Sequence, residues 1–475
     1  MLAATDILTT LRSSLWDNWF ELDTWIVITA SLAAMASAIP GCFLVLRRQS
    51  MMGDALTHTV LPGIVGAFLL SHSLKSAGVI PVDVDAPRQA FDTVSYALMF
   101  GGAILIGGLT AVLTEWVRRK GRVESSAALG VVYTSMFATG LLMIRVAADT
   151  VHIDPDCVLY GNIEAVWTGP GEVPRAALVS GGALLLNATL VTLFFKELRV
   201  ATFDPAMATS LGINANRVHY CLMSVTAVTA VAAFESVGNI LVIAMLIVPA
   251  ATAHLLTDRL WLMILFACLA GVLSSVIGHA AALVVPPLVM SPFADSDLLS
   301  GVDVASLDAS TSGMMALASG FLFTAALFFG PRHGLLVKWI HQLQLSYRVA
   351  AEDILGALYR QSEQQKREAG ETEPSLSARP SRFVAWRLRR QGLLAGPTSQ
   401  PHLTAAGEIA ARRLVRAHRL WESYMAKHFD VPGDHLHEAA HRVEHFLDPE
   451  LRSRLADELD GPARDPHGKE IPSDA

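Results

Sequence analysis

Residues 261–287, WLMILFACLAGVLSSVIGHAAALVVPP, decide the fold, because this stretch carries no Asp, Glu, Lys or Arg. A helix needs about 20 apolar residues to cross the hydrocarbon core of a bilayer. Similar apolar runs recur along the chain and predict an all-α, polytopic membrane bundle of eight or nine spans. The number depends on 218–256, which Glu235 and Gly238 interrupt. The candidate spans are 24–46, 57–71, 93–116, 126–147, 175–195, 218–235, 237–256, 261–287 and 313–330.

Charge is distributed unevenly along the 475 residues. Residues 331–475 carry 41 charged side chains, whereas the much longer stretch 1–330 carries 38. The first part therefore has a membrane-like composition, and the last part has that of an ordinary soluble domain. A net charge of −7 excludes a generally basic nucleic-acid binder, and four cysteines exclude a disulfide-rich scaffold.

Positive charges orient the predicted bundle, since Lys and Arg concentrate on cytoplasmic loops. Arg47, Arg118, Lys196 and Arg332 fall on one side if the spans alternate. This side is expected to be cytoplasmic in a cell (inner) membrane, together with the charged C-terminal part. Residues 1–22 are expected to form an amphipathic interfacial helix, and they lack the pattern of a cleaved signal peptide.

Two groups in the membrane part could bind cations. Asp54 and His58 lie four residues apart, so on a helix they share one face, and a carboxylate with an imidazole suits a divalent cation. The alternative is a helix-start Asp in the headgroup zone beside a His satisfied by a neighbour. Asp154 and Asp156, in an outward loop, could attract cations or could simply be solvated.

The segment 203–212, FDPAMATSLG, predicts a short helix on the cytoplasmic side. Asp204 and Pro205 are typical of a helix start, and Gly212 can end the helix. A short helix at the membrane face could dock another protein, or it could be a plain connector.

Several motifs occur in order over about 330 residues, and together they resemble the ABC-type manganese, zinc and iron permeases. The motifs are RRQSMMGDALTH at 47–58, LPG at 61–63, SAALG at 126–130, LYGN at 159–162, FDPAMATSLG at 203–212, VIAMLIVPAATA at 242–253 and GPRHG at 330–334.

The resemblance implies an importer in which two permease chains, identical or different, pair within the lipid bilayer. An extracytoplasmic metal-binding protein delivers the ion, which implies that the loop with Asp154 and Asp156 faces that protein. In this family the pair matching Asp54 and His58 lines the metal pathway. If transport is ATP-driven, we expect the ATP-binding subunit to be a separate chain, because the sequence contains no GxxxxGK[ST] loop. By the same analogy the residues of 203–212 that contact it are Phe203, Asp204, Pro205, Leu211 and Gly212.

The C-terminal part contains a second set of candidate ligands. His437, His441, Glu444 and His445 have offsets that place them on one helical face, and imidazole with carboxylate suits Mn, Fe or Zn. A His-rich solvated helix is the alternative. His418 and Glu422 form a further pair, four residues apart on a helix predicted over 404–428. Helices are also predicted over 350–360, 381–394 and 432–446, a flexible segment over 361–380, and a turn or small wing near 396–404.

This region resembles the diphtheria-toxin-repressor family of winged-helix metal sensors, which dimerise on binding metal. The motifs are TAAG at 404–407, HRLWE at 418–422, HEAAHRVEH at 437–445 and RDPHG at 464–468. The resemblance implies that His418, Glu422, His437, His441, Glu444 and His445 are metal ligands, with Asp353 as a weaker match. His441 stands where relatives carry Cys or Glu, and Gly356 stands where manganese-responsive members carry a Glu ligand.

The sequence therefore predicts a permease domain over 1–340, a linker with one helix over 341–380, and a metal-binding and dimerisation domain over 381–475.

The function predicted is that of a transmembrane permease, not an enzyme, for a divalent metal. Manganese or iron is favoured and zinc is possible, and the same kind of ion would be the regulatory ligand. The alternatives are a transcription regulator, tethered or released by cleavage within 361–380, and a tail that only strengthens dimerisation. DNA binding is disfavoured, because 361–380 lacks the apolar pattern of a helix preceding a recognition helix.

Overall fold

The computed structural model describes residue 19 and nine further stretches of the chain. It divides into two compact units, a membrane unit, Met1–Val337, and a C-terminal unit, Lys338–Ala475. The described stretches are 23–59, 61–77, 93–147, 163–166, 173–290, 309–367, 381–397, 400–429 and 433–473, with a few side chains inside them left out. The predicted helix over 1–22 lies almost wholly outside the described residues.

The described part of the membrane unit is built from helices, with one short 3-10 turn, Ile163–Ala165. Its helices are α1 Thr24–Leu46, α2 Ser50–Thr59, α3 Leu61–Ser76, α4 Thr93–Gly121, α5 Ser125–Ala147, α6 Arg175–Leu193, α7 Phe195–Phe203, α8 Pro205–Ser210, α9 Ala215–Val237, α10 Asn239–Leu256, α11 Leu260–Met290 and α12 Thr311–Phe329.

Among the described residues, six helices are long and apolar enough to cross a membrane. They lie within α1, α5, α6, α9, α11 and α12, and the apolar segment Leu241–Leu256 of α10 is shorter. The predicted short span 57–71 covers the end of α2 and most of α3, and residue 60 between them lies outside the described residues. The interruption at Gly238 is real, since its φ of 79° lies in the left-handed region that favours glycine and separates α9 from α10.

Helix α1 packs against α6, α10 and α11 through small residues. Ala30, Ala34, Ser37 and Gly41 are all buried along it, which lets neighbouring backbones approach closely. A Cβ at Gly41 would lie 1.8 Å from the carbonyl oxygen of Leu246 in α10, so no larger residue fits there. The core of the membrane unit is therefore held by close backbone packing around α1.

The C-terminal unit joins seven short elements to one long helix. Helix α13, Leu335–Arg367, begins just before the division between the units. The remaining elements are α14 Arg382–Arg390, β1 Leu394–Ala395, β2 His402–Leu403, α15 Ala405–His428, α16 Gly433–Val443, a 3-10 turn Glu444–Phe446 and α17 Pro449–Glu458. Strands β1 and β2 pair antiparallel, with Leu394 opposite Leu403, and form the small wing that the sequence predicts.

Helix α13 is part of the core of this unit. Ala351, Leu355 and Leu358 are buried against Val384 and Leu388 of α14. The prediction that 361–380 is flexible is wrong for 361–367, which continue α13, and the rest of that segment lies outside the described residues. The predicted helix over 381–394 is too long, because α14 ends at Arg390 and Gly392 takes a φ of 72° before β1.

Candidate metal centres

Helix α15 supplies two of the candidate ligands and fixes their spacing. The helix starts at Thr404, whose Oγ1 accepts a hydrogen bond of 3.1 Å from the backbone N–H of Gly407. His418 and Glu422 follow on its buried face, with 4% and 2% of their surface exposed. Because positions i and i+4 share a helical face, the two side chains converge.

His437 of α16 completes the first group, the α15 cluster of His418, Glu422 and His437. His418 Nε2 lies 2.8 Å from His437 Nδ1 and 3.1 Å from Glu422 Oε1. Glu422 Oε1 lies 3.0 Å from His437 Nδ1, and one ligand atom from each residue lies within 4.8 Å of the other two. Two imidazole nitrogens and a carboxylate oxygen thus converge on one point, which is a ligand set suited to a divalent metal.

The second group, the α13 cluster, contains Asp353, His441, Glu444 and His445. His441 Nδ1 lies 2.8 Å from Glu444 Oε1, and His445 Nε2 lies 3.2 Å from Asp353 Oδ1 and 3.8 Å from Glu444 Oε1. Asp353 comes from α13, whereas the other three come from α16 and the turn that follows it. A metal bound here would therefore hold α13 to α16.

His418 joins the two clusters. Its Nε2 faces Glu422, while its Nδ1 lies 2.7 Å from Glu444 Oε2 in the α13 cluster. Both carboxylates are buried, with 2% of each residue exposed. The clusters form one buried network, which opens to solvent at the half-exposed rings of His437 and His441.

Burial and charge act in opposite directions on these groups. Burial alone would raise the pKa of Glu422, but the hydrogen bonds and charges of His418 and His437 outweigh it and lower that pKa to about 2. Burial also opposes ionisation of Glu444, yet His418, His441 and Arg360 lower its pKa. Burial would lower the pKa of His418, whereas Glu422 and Glu444 raise it overall. The network thus keeps two buried carboxylates ionised, as a metal site requires.

Glu352 is a site residue that sequence reasoning missed. Its Oε2 lies 2.8 Å from His445 Nδ1, and its Oε1 accepts a hydrogen bond of 3.0 Å from Arg348 Nε. A carboxylate on one nitrogen of an imidazole directs the other nitrogen toward a metal. From sequence, Glu352 and Arg348 are an ordinary i, i+4 pair on a solvated face, so only their adjacency to Asp353 could have indicated this role.

Gly356 leaves space for a cation rather than a ligand. A Cβ added there would lie 3.0 Å from Arg360 Nη2 and 3.1 Å from Leu414. Arg360 Nη2 lies 3.9 Å from Glu444 Oε1. The Arg360 guanidinium thus contributes positive charge near the α13 cluster. At Gly356, manganese-responsive members of the family that this region resembles carry an acidic ligand instead.

The structure describes only some of the candidate cation ligands of the membrane unit. Asp54 and His58 both lie on α2, as their predicted shared face requires, and the side chain of Asp54 lies outside the described residues. The His58 ring lies 5.0 Å from that of Phe137 and 6.2 Å from that of Tyr133, both on α5. Asp154 and Asp156 lie outside the described residues.

Helix α8 forms as predicted. Asp204 Oδ1 accepts a hydrogen bond of 2.9 Å from the backbone N–H of Met207, Pro205 is the first helical residue, and Gly212 follows with a φ of 84°. Phe203 and Leu211, at its two ends, expose 62% and 59% of their surface. Large exposed apolar side chains on a capped turn are typical of a docking element.

Residues 20–292 match the family model described as the ABC 3 transport family. The chain belongs to the ABC 3 transport family. A manganese transport system membrane protein, MntD of Bacillus subtilis, is 38% identical over 331 residues, which cover 68% of this chain and 98% of that protein. The predicted resemblance of the membrane part is thereby confirmed.

Two further comparisons extend this relationship. A zinc transport system membrane protein, TroD of Treponema pallidum, is 33% identical over 401 residues, covering 82% of this chain and 98% of that protein. That length exceeds the membrane unit and so includes part of the C-terminal unit. The structure of PsaBC from Streptococcus pneumoniae in complex with Fab has a TM-score of 0.50 and 28% identity, covering 70% of this chain and 98% of that one.

A second family model matches residues 404–473 and is described as an iron-dependent repressor, metal-binding and dimerisation domain. This ABC 3 family member therefore carries a repressor-like domain as predicted, and the all-α fold class of membrane bundle plus sensor-like domain is confirmed. The match includes six of the seven residues in the two clusters, and Asp353 precedes it.

Proposed function

We propose that this chain is the permease subunit of an ATP-driven importer of a divalent metal, and that its C-terminal unit senses the same class of metal in the cytoplasm. Manganese and zinc are the metals named for the permease relatives, and iron is the metal named for the C-terminal family. The observation that carries the proposal is the convergence of seven His, Glu and Asp side chains into two clusters within a transport-family chain.

The transport half of the proposal assigns the ion pathway to Asp54 and His58 of α2. The ATP-binding subunit is a separate chain that docks on α8 through exposed residues such as Phe203 and Leu211. A second permease chain completes the pore, and an extracytoplasmic protein delivers metal to the side that carries Asp154 and Asp156. This orientation follows from the cytoplasmic preference of Lys and Arg.

The regulatory half uses the way in which the α13 cluster is assembled. Its ligands come from α13 on one side and from α16 with its following turn on the other. A bound cation attracts Asp353 and Glu444 together, and the position of α13 thus depends on metal occupancy. Since α13 continues from residues of the membrane unit, we propose that occupancy reduces import when cytoplasmic metal is abundant.

Transport assays at graded internal metal levels test this proposal. The variant H441A/E444Q removes two ligands of the α13 cluster and should keep importing at metal levels that stop the unaltered chain. The matched control H428A/E458Q removes a surface pair with a 3.3 Å contact outside both clusters and should leave regulation unchanged. Equal regulation in all three proteins would overturn the sensing role, whereas absence of uptake in every protein would overturn the transport role.

A further inference from the structure

We propose that the membrane unit contains a binding site for a phosphate group, separate from the metal pathway and the metal clusters. The site is a cavity of about 560 Å³ at one end of the helices, beside α8. It lies between the end of α1, the last turns of α4, the junction of α7 and α8, and the start of α9. Among its lining residues are Arg47, Arg48, Arg118 and His219.

Guanidiniums converge on this cavity from two separate segments, the end of α1 and the last turns of α4, and His219 of α9 lies beside them. Arg47 Nη1 lies 3.3 Å from His219 Nδ1, and its Nη2 donates a 3.0 Å hydrogen bond to the carbonyl oxygen of Ala201. A guanidinium can only donate, so His219 Nδ1 is the acceptor and the imidazole keeps its proton on Nε2. Arg48 and Arg118 add two more guanidiniums at the rim.

One carboxylate, Glu115, also lines the cavity, and Arg118 already engages it. Arg118 donates from Nε to Glu115 Oε2 at 2.9 Å and from Nη2 to Glu115 Oε1 at 2.7 Å. The charges of Arg47 and Arg48 have no such counter-ion among the described residues that line the cavity. Guanidiniums that lack a carboxylate partner of their own favour a bound anion, and their planar donors match phosphate oxygens.

Buried donors without partners support an anion at this place. Within the described part of the chain, Arg47 Nε and the hydroxyl oxygens of Thr114 and Thr202 are buried and have no hydrogen-bond partner. Thr114 and Thr202 are 3% and 7% exposed, and both line the cavity. Buried polar groups are nearly always hydrogen-bonded, and an oxyanion in the cavity would supply acceptors for these donors. The amide oxygen of Gln49, a fourth unpaired atom among the lining residues, is itself an acceptor.

The backbone at Arg48 gives a separate reason. Arg48 follows α1 with a φ of 56°, and its N–H bonds Val45 O while that of Gln49 bonds Leu44 O. This helix ending normally uses glycine, because an L side chain in the left-handed region is strained. The chain thus places a guanidinium at the rim of the cavity in spite of this strain.

The phosphate group could belong to the headgroup of an anionic phospholipid or to a soluble phosphate compound. We test this with the full chain in delipidated detergent micelles, using native mass spectrometry with added phosphatidylglycerol or phosphatidylcholine. The unaltered chain should retain phosphatidylglycerol but not phosphatidylcholine. Displacement by millimolar inorganic phosphate or ATP would assign the site to soluble phosphate, and retention in their presence would assign it to lipid.

Two charge-matched variants make the test specific. R48G/R118Q should bind phosphatidylglycerol or phosphate at least about tenfold more weakly, since charge-assisted hydrogen bonds are lost. R48G alone should keep or raise thermal stability, because glycine relieves the strained φ. The control K196Q/R199Q removes two exposed charges of α7 that do not line the cavity and should bind normally. Equal loss in both double variants, no loss in R48G/R118Q, or no anion retained by the unaltered chain would each overturn the proposal.

Discussion

The two units bury polar side chains in opposite ways. In the membrane unit some buried hydroxyls bond only within their own helix, as in Thr226 and Ser275, which donate to carbonyl oxygens four residues earlier at 2.8 and 2.9 Å. In the C-terminal unit the buried groups are ionised, and His418 links Glu422 and Glu444 through contacts of 3.1 and 2.7 Å.

The difference follows from the surroundings of each unit. A hydroxyl satisfied by its own helix needs no partner from elsewhere, which suits a helix facing lipid. A buried carboxylate needs several partners, and the C-terminal unit provides them from α13, α15 and α16, with an opening to water at His437 and His441. The ionised side chains of this network therefore lie where water can reach its edge.

The largest effect should come from removing the residue shared by both clusters. H418A leaves Glu422 and Glu444 buried with fewer partners, so we expect the free energy of unfolding of the C-terminal unit to fall by about 3–5 kcal/mol. Hydrogen exchange of peptides from α15 in the full chain measures this change. The control H428A removes an exposed pair worth about 0–1 kcal/mol and a ring contact with Tyr424. Equal losses of stability in H418A and H428A would show that the buried network contributes no more than a surface contact.

The pH dependence should distinguish the metal-free from the metal-bound network. Because the pKa of His418 is raised above its ordinary value of 6.5, its contribution to metal-free stability is complete below pH 6.5 and is lost as the pH rises through the raised pKa. Metal affinity should change in the opposite direction, by about tenfold per pH unit for each proton displaced. Calorimetric titration with Mn²⁺ from pH 6 to 8 checks the sign, and a flat profile would contradict it.

Glu352 tests whether the network extends beyond the direct ligands. E352L removes the acceptor on His445 Nδ1 and should weaken metal binding about 10–100-fold, as such partners usually do. E352Q keeps an acceptor and should recover much of this loss. The Mn²⁺ electron paramagnetic resonance spectrum should shift in E352L and not in E438Q, a change on the exposed face of α16. If the glutamine variant bound as weakly as the leucine variant, Glu352 would not position His445.

The smallest effect should be in the membrane unit, at the cap of α8. D204A removes the acceptor for the Met207 N–H and should destabilise this helix by about 1 kcal/mol. Hydrogen exchange over 204–212 reports the fraying, and ATP-driven uptake should decline with it. N214A removes the comparable cap of α9, so a decline in uptake with N214A alone would contradict a docking role for α8.

The membrane spans were predictable because a long apolar run favours a helix whatever its individual residues prefer. Leu260–Met290 continues as a helix through Pro286 and Pro287, close to the predicted 261–287. The end of α14 could not be predicted from an apolar pattern. It depends on the left-handed turn at Gly392 and on the pairing of β1 with β2. The polar composition of 361–367 wrongly predicted a flexible segment. These residues continue helix α13, which packs within the C-terminal unit.

Contacts between candidate ligands at helical spacing were predictable, whereas contacts between different elements were not. Helical spacing brings His418 to Glu422 and His441 to Glu444, and both pairs are in contact. The contacts from Glu352 to His445 and from Arg360 to Glu444 join residues far apart in the sequence. Such pairs depend on how α13 packs against α16, which no local pattern contains.

The half-exposed rings of His437 and His441 have a kinetic consequence. Each cluster has buried ligands and one imidazole at the surface, with 58% and 47% of these two side chains exposed. A surface ring changes rotamer in nanoseconds, far faster than a buried network opens. If metal binds as proposed, the exposed ring would be the last ligand to close on an arriving ion and the first to leave, so exchange could follow side-chain rotation without unfolding of the domain.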